Sequence, residues 1–264
     1  MKKLKRMYAA VIGLAMVLTA VPVADVSAED KVDHVIVNQV YGGADDGTAS
    51  HSFIELYNPT DETVDLTGWK LWYKSSESGP NNSVWETLTL TGKIGSEDYY
   101  LIRCGAVSTA SNKLTYQVPE GNQEWDIQIH NKGFAVILTD NTIEADTEFA
   151  GDISTNPNYV DCLAAQGNDG DSDQIPPAYE TGYSAIQSKK KAVRRVGFAD
   201  TDNNSVDVAA IDYSKTVSAD DGPHVGSYGS KTSQTISLTA GNPLTMLPGE
   251  SVGLGASAQS KLSY

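Results

Sequence analysis

The sequence lacks the features that mark most enzymes and membrane proteins. Its 264 residues include two cysteines and four histidines, and no pair of them has the spacing of a zinc site. It has no GxSxG elbow, no phosphate-binding loop and no HExxH pair. No apolar run beyond the N-terminus is long enough to cross a bilayer, and apolar residues nowhere keep a helical period. These absences predict a helix-poor chain that is not an enzyme.

Positive charge is also scarce. The 19 basic residues are outnumbered by 34 acidic ones, which gives a formal net charge of −15. Such a surface disfavours nucleic acid and anionic lipid as partners of this chain alone. The run KKKAVRR over residues 189–195 is the exception. It has no interleaved aromatic residues, so we interpret it as a strand whose charges face solvent or pair with surplus carboxylates, rather than as a phosphate site.

The N-terminus has the pattern of an export signal. Residues 2–6 carry four basic side chains, residues 8–24 are mostly apolar, and Val26-Ser27-Ala28 fits the small-x-small cleavage rule. This pattern predicts a signal peptide over residues 1–28 and a secreted, extracellular mature chain without a membrane span. Removing the signal, with four of the 19 basic and one of the 34 acidic residues, leaves a formal charge of −18.

Short apolar runs separated by turn residues predict an all-β chain. Residues 35–41, 53–57, 64–66 and 69–73 give four strands, and Asn58-Pro59 begins a tight turn between two of them. Further strands are expected over residues 84–90, 99–104, 125–129, 134–139, 159–163, 192–196 and 205–212, with a long polar loop over 166–188. Many short strands joined by tight turns are typical of a sandwich or barrel.

One stretch carries a family resemblance. Residues 53–71 read FIELYNPTDETVDLTGWKL, and the pattern continues in YYLI at 99–102, GFAVIL at 133–138, and Arg194-Arg195 followed by DTDNNSVD at 200–207. This pattern resembles the lamin tail domain family, in the version found in secreted bacterial proteins. Two departures are Val208, where the family has Phe, and residues 161–167, where it has D-x-V-G-Y-G. The resemblance implies an immunoglobulin-like β-sandwich of the lamin tail domain type.

The domain organisation follows from the same resemblance. Residues 29–229 are expected to form the sandwich domain. Residues 227–233 are rich in Ser and Gly, which is typical of a linker. Residues 230–264 therefore read as a linker and the start of a second β-domain, and they resemble the opening of a bacterial immunoglobulin-like repeat.

The resemblance specifies a fold rather than a chemistry. We expect a secreted, non-catalytic module that binds or presents something outside the cell. Its partner would be an extracellular protein, a glycan or a neighbouring domain. The alternative is an accessory domain of a larger secreted nuclease or phosphatase, because bacterial relatives of this domain often adjoin such enzymes.

Cys104 and Cys162 leave two readings open. The exterior is oxidising, so they can form one disulfide. Both lie at strand-like positions, so they can equally be buried free thiols that pack as small apolar residues. Neither has neighbours in the sequence that suggest an activated thiolate.

Two acidic loops are the candidates for a cation site, with Ca²⁺ as the cofactor considered. In the first, oxygen donors follow an EF-hand-like count but Gln174 replaces the obligatory glycine and no helix flanks the loop. The second has the same short spacing, although Asp and Asn in such loops usually cap turns. The candidate ligands are Asp169, Asp171, Asp173 and Glu180 in the first loop, and Asp200, Asp202, Asn204 and Asp207 in the second.

Aromatic side chains suggest a binding surface. Trp72, Tyr73 and Trp85 are its candidate members, because an outward Trp beside Tyr can stack on a sugar or on another protein. Strand alternation places Trp69 and Leu71 towards the core and Trp72 outward. Glu55 alternates with aromatic residues on its strand, so its carboxylate is expected to be held by partners inside the sandwich.

Overall fold

The computed structural model describes residues 32–107, 114–142 and 148–228, and two short strands beyond them. The predicted signal peptide lies outside the described residues. The strands are β1 (Ile36–Tyr41), β2 (His51–Asn58), β3 (Val64–Asp65), β4 (Lys70–Ser75), β5 (Glu86–Thr89), β6 (Lys93–Ile94), β7 (Asp98–Ala106), β8 (Gln123–Glu124), β9 (Phe134–Thr139), β10 (Gly151–Asp152), β11 (Asp161–Gly167), β12 (Ala178–Tyr179), β13 (Ser184–Gln187), β14 (Lys191–Arg195), β15 (Val208–Asp212), β16 (Ser237–Leu238) and β17 (Ala256–Ser257). One helical turn, α1 (Asn204–Asp207), precedes β15, and a 3₁₀ turn covers Ser172–Gln174.

Two main sheets form a β-sandwich, which confirms the predicted fold class. The first sheet has the strand order β15-β14-β1-β2-β7-β8, and the second has the order β13-β11-β9-β4-β5. Most neighbours are antiparallel, while β11–β13 and β7–β8 are parallel. In the short strand pair beyond the sandwich, β16 and β17 are antiparallel. No helix in the described part of the chain is both long and apolar enough to span a bilayer.

The core lies between the two sheets and is built by strand alternation. On β4 the side chains are alternately half-buried and buried, so Leu71 and Tyr73 face the core while Lys70, Trp72 and Lys74 face outward. Trp69 packs against the same core and is half-buried. Other members of this core include Val37, Val40, Ile54, Leu56, Tyr100, Ile102, Phe134, Val136, Leu138, Leu163 and Val193.

Each sheet also carries a smaller apolar cluster on its outer face. On the first sheet, Tyr41, Phe53, Leu101 and Tyr213 pack together. On the second sheet, the cluster includes Ile137, Cys162, Ala164, Phe149 and Ile153, with half-buried Trp72 and Trp85 against it. The sandwich is therefore three apolar layers thick, because loops cover part of each outer face.

A strap over residues 213–228 crosses the outer face of the first sheet. Its path is held by side chains of the sheet: Glu55 Oε2 accepts from His224 N at 2.5 Å, and Asn122 Oδ1 accepts from Gly226 N at 2.9 Å. Glu55 is fully buried and also accepts from Asn38 Nδ2 at 2.6 Å. A buried carboxylate with such donors is satisfied. As the sequence predicted, Glu55 has a structural role.

The expected elements differ from the structure in the second half of the chain. Residues 125–129 form no strand, and only Gln123–Glu124 pairs there, in parallel with β7. The expected loop over residues 166–188 contains β12 and β13. The expected strand over 205–212 begins with α1, because the Asn203 side chain caps a helical turn by accepting from Ser205 N.

Candidate functional site

The structure regroups the candidate cation ligands. Asp169, Asp171 and Asp173 are exposed in their loop. Glu180 is buried elsewhere, where its carboxylate accepts from Cys162 N at 3.1 Å and from Asn204 Nδ2 at 2.9 Å. The EF-hand-like count that joined Glu180 to the first loop is therefore wrong. Irregular chain between them, including Pro176-Pro177, carries Glu180 to the second loop instead.

Arg195 lies at the centre of this second group. Its guanidinium is 2.5 Å from Asp161, 3.1 Å from Asp200, 3.4 Å from Asp207 and 3.7 Å from Glu180. We call these five residues the Arg195 clasp. All five side chains are at most 5% exposed. A buried arginine with this many carboxylates is costly to desolvate, and removing either sign would leave an unpaired buried charge.

The clasp joins the two sheets. Arg195 ends β14 in the first sheet, and Asp161 begins β11 in the second. The guanidinium also donates to Val37 O and Cys162 O, both at 3.2 Å, which are main-chain acceptors on both sheets. A planar guanidinium with five N–H donors can bind several acceptors that surround it.

Burial shifts the ionisation of the clasp. Burial, and then the neighbouring Asp161 carboxylate, raise the pKa of Glu180 to about 9. Burial raises the pKa of Asp161 to about 6, although Arg195 opposes this. For His34, burial lowers the pKa, but the hydrogen bond to Asp200 and nearby carboxylates outweigh it and raise the pKa to about 9. Protonated Glu180 and charged His34 therefore reduce the excess of negative charge around Arg195.

The donor set does not fit Ca²⁺. Oxygens of Asp161, Glu180 and Asp200 lie within 4.8 Å of one another, and within the described ranges they form the one such trio of metal-type side chains. The cation between them is already the Arg195 guanidinium. Ca²⁺ takes six to eight oxygen ligands, and here the carboxylates are engaged with Arg195, His34 and main-chain donors.

The other residues of the second loop have local roles. The Asp207 carboxylate accepts from Thr201 N at 2.9 Å and from Thr201 Oγ1 at 2.8 Å, so it closes its own turn. Asn204 Oδ1 accepts from Ala164 N at 3.1 Å and ties this turn to β11. Asp202 has a φ of 53°, a left-handed conformation that suits Asp in turns. The interpretation that such residues cap their own turns therefore describes Asp200 and Asp207, whereas Asn204 bonds across to β11.

The two cysteines are both free and buried. Cys104 belongs to the core between the sheets, whereas Cys162 belongs to the cluster on the outer face of the second sheet. The sequence left a disulfide and two free thiols open as alternatives. In the structure both cysteines are free thiols, and the disulfide is not formed. Burial raises the pKa of both thiols, which makes them poor nucleophiles.

Two of the three residues predicted to form an aromatic surface lie on an outer face of the structure. Tyr73 is fully buried and its hydroxyl accepts from His130 N at 2.9 Å, so its assignment to a surface is wrong. Tyr73 faces inward because it alternates with Trp72 along β4. Trp72 and Trp85 lie on the outer face, where each meets the edge of the Phe149 ring, with centroids 5.8 and 5.9 Å apart.

Two lysines lie beside these tryptophans, and the sequence analysis did not predict them as part of the surface. Lys70 Nζ lies 5.8 Å from the centroid of Trp72, and Lys74 Nζ lies 6.0 Å from that of Trp85. These are cation–π distances. We call Lys70, Trp72, Lys74 and Trp85 the Lys–Trp surface. Its signal was present in the sequence as K-x-W-x-K, which strand alternation places on one face.

A polar cleft adjoins the Lys–Trp surface. It encloses about 410 Å³ and is lined in part by Lys74, Ser76, Asn82 and Pro177. Ser76 is only 1% exposed, and its Oγ has no hydrogen-bond partner within the described structure. The outer face of the second sheet therefore offers stacking rings and ammonium groups beside this cleft.

Comparison with known proteins gives a matching family and similar solved structures. Residues 28–152 match the model of the Lamin Tail Domain family. A crystal structure of a DUF4876 family protein from Bacteroides thetaiotaomicron is similar, with 12% identity and a TM-score of 0.47, over 74% of this chain and 75% of that one. A search of curated proteins finds no match.

Proposed function

Residues 28–152 match the Lamin Tail Domain family, and from that premise we propose that the chain is a secreted, non-catalytic module that binds a carbohydrate chain outside the cell. The matched family is one of immunoglobulin-like domains. The export signal expected over residues 1–28 supports an extracellular location. The Lys–Trp surface is the observation that carries the proposal.

Stacking is the first part of the argument. Trp72 and Trp85 are half-buried and held against Phe149, and Trp72 Nε1 donates to Thr139 Oγ1 at 2.9 Å. Rings fixed in this way lose little entropy when a ligand covers them. A pyranose ring offers a flat C–H face of suitable size for stacking on an aromatic ring.

Charge is the second part. Within the described residues, neither Lys70 nor Lys74 forms an ion pair with a carboxylate, although the chain has a net charge of −15. A ligand with a flat apolar face and a carboxylate would stack on the two tryptophan rings and pair with the two lysines. We therefore propose an acidic polysaccharide, such as a polyuronate, as the ligand class. The repulsion from the whole protein is screened beyond about 8 Å at physiological salt.

Affinity electrophoresis tests this proposal. The secreted protein is run at physiological salt in native gels that contain polygalacturonate, alginate or neutral xylan. We expect the acidic polysaccharides to retard it, Trp85→Ala to abolish the retardation, and Lys70→Gln with Lys74→Gln to reduce it. Lys93→Gln removes an exposed lysine elsewhere, which lies 3.9 Å from Asp65, and serves as the matched control.

Three outcomes would contradict the proposal. Wild-type protein that no polysaccharide retards would leave the Lys–Trp surface without this function. Equal retardation of wild type and Trp85→Ala would place binding elsewhere. Release of reducing ends from any polysaccharide, abolished by a point substitution, would show that the module is catalytic.

A further inference from the structure

The outermost strand of the first sheet has an open edge. Strand β15 pairs with β14 on one side, and no strand in the described part of the chain pairs with its other side. At either end of β15, Asp207 O accepts from Val196 N and Tyr213 N donates to Lys190 O. Antiparallel ladders alternate, so Val208, Ala210 and Asp212 direct their N–H and C=O groups away from β14.

The first four residues of this edge lack the usual protection. Natural edge strands are blunted by charged residues, proline, bulges or a covering segment. The first four residues of β15 are Val208-Ala-Ala-Ile, its pairing with β14 has no bulge, and Ala209 and Ala210 are exposed. The edge strand β5 differs, because Gln123 Nε2 donates to Thr89 O at 3.0 Å and thereby covers it.

A groove lies beside the open edge. It encloses about 310 Å³ and is lined in part by Phe198, Ala209, Ile211 and Arg194. Val196 lines it too and is 56% exposed. Ala209 and Ile211 project into it from the outer face of β15. An added strand would therefore satisfy the outward backbone groups and place every second side chain next to the groove.

The charge around the groove favours a basic partner over a second copy of the chain. Asp220 and Asp221 form one wall of the groove, and Arg194 Nη1 already binds Asp220 O and Asp221 Oδ1. A second copy of this chain would bring another net charge of −15 to the same place. A basic partner is attracted instead.

We propose that the β15 edge binds an extended peptide of another protein by strand addition, with small apolar residues alternating along the peptide and Lys or Arg at its ends. Main-chain hydrogen bonds would give affinity, and the groove would select the apolar side chains. This surface belongs to the first sheet and is independent of the Lys–Trp surface on the second.

The probe is a fluorescein-labelled peptide amide with the sequence Lys-Val-Thr-Val-Thr-Val-Lys, added to the secreted protein and followed by fluorescence anisotropy. Two analogues carry N-methyl groups on alternate residues, one on the Val residues and one on the Thr residues. An added strand uses alternate N–H groups, so we expect one analogue to bind like the parent and the other to lose binding.

Two variants locate the site. Ala210→Pro removes an N–H that the β14 ladder does not use, which an edge strand tolerates. Ala209→Trp fills the groove from an exposed position. Each should weaken peptide binding about tenfold or more with the thermal midpoint kept within a few degrees. Ala185→Ser, on β13 of the other sheet, is the exposed control and should bind like wild type.

The proposal is overturned if wild type fails to bind the peptide, or if both variants bind as well as wild type. It is also overturned if both methylated analogues bind equally, because backbone pairing would then play no part. Self-association in sedimentation that Ala210→Pro abolishes would assign the edge to a second copy of the chain instead.

Discussion

Replacing Glu180 by glutamine should make the free energy of unfolding less sensitive to pH. In the folded protein, burial and the Asp161 carboxylate raise the pKa of Glu180 from its ordinary value of 4.5 to about 9. The folded state therefore holds a proton that the unfolded state has released between these two values. Glutamine has a similar shape and does not titrate, so Glu180→Gln removes this one contribution.

The sign and size follow from linkage. A raised pKa contributes stability that is fully present below pH 4.5 and is lost as the pH rises through 9. The loss is about 1.4 kcal/mol per pH unit while the two states differ by one proton. His34 and Asp161, whose pKa values are also raised, act in the same direction in both proteins. The difference between wild type and variant therefore reports the titration of Glu180 together with its coupling to Asp161.

The two stability curves should cross. At pH 4 the variant should be less stable by about 1 kcal/mol, because its amide N–H₂ faces a group that already donates to the side chain, either Asn204 Nδ2 or Cys162 N. By pH 8 to 9 it should be the more stable by a few kcal/mol. Urea unfolding at several pH values, followed by tryptophan fluorescence, measures both. Glu120→Gln removes an exposed carboxylate and is the control. Parallel curves for Glu180→Gln and wild type would show that Glu180 ionises normally in the fold.

The fold could be predicted because its signals are local. Strand alternation on β4 and the turn at Asn58-Pro59 need no distant partner, and both appear as expected. Gly68, which precedes Trp69, has a φ of 90°, a left-handed conformation that glycine adopts without steric cost. The expected strand over residues 125–129 failed, because an apolar run does not reveal whether a neighbouring strand is available to pair.

The sites were harder to predict because they depend on contacts between residues that are far apart in sequence. The sequence named Glu180 and Asp200 as candidate Ca²⁺ ligands, and the structure places both beside Arg195. It assigned Glu180 to the wrong loop, because ligand counting assumes that neighbours in sequence are neighbours in space. Asp161 and Arg195 are 2.5 Å apart across the two sheets, and single-sequence patterns carry no information on such a contact. For the same reason the sequence could not decide between a disulfide and free thiols.

Three further outcomes are expected. Addition of Ca²⁺ should raise the thermal midpoint no more than Mg²⁺ or NaCl of equal ionic strength, because Arg195 fills the acidic cluster; a shift specific to Ca²⁺ would refute this. Non-reduced protein should take up two thiol labels in denaturant and none when native, since Cys104 and Cys162 are free and buried, and mass spectrometry would reveal a disulfide as zero labels in both states. Trp69→Ala should destabilise the domain by about 3 kcal/mol, because the half-buried Trp69 side chain packs against the core between the sheets. Trp69→Phe keeps an aromatic ring at the same position and should recover much of that loss in urea unfolding. If Trp69→Ala loses less than about 1 kcal/mol, Trp69 contributes no more than an ordinary surface residue.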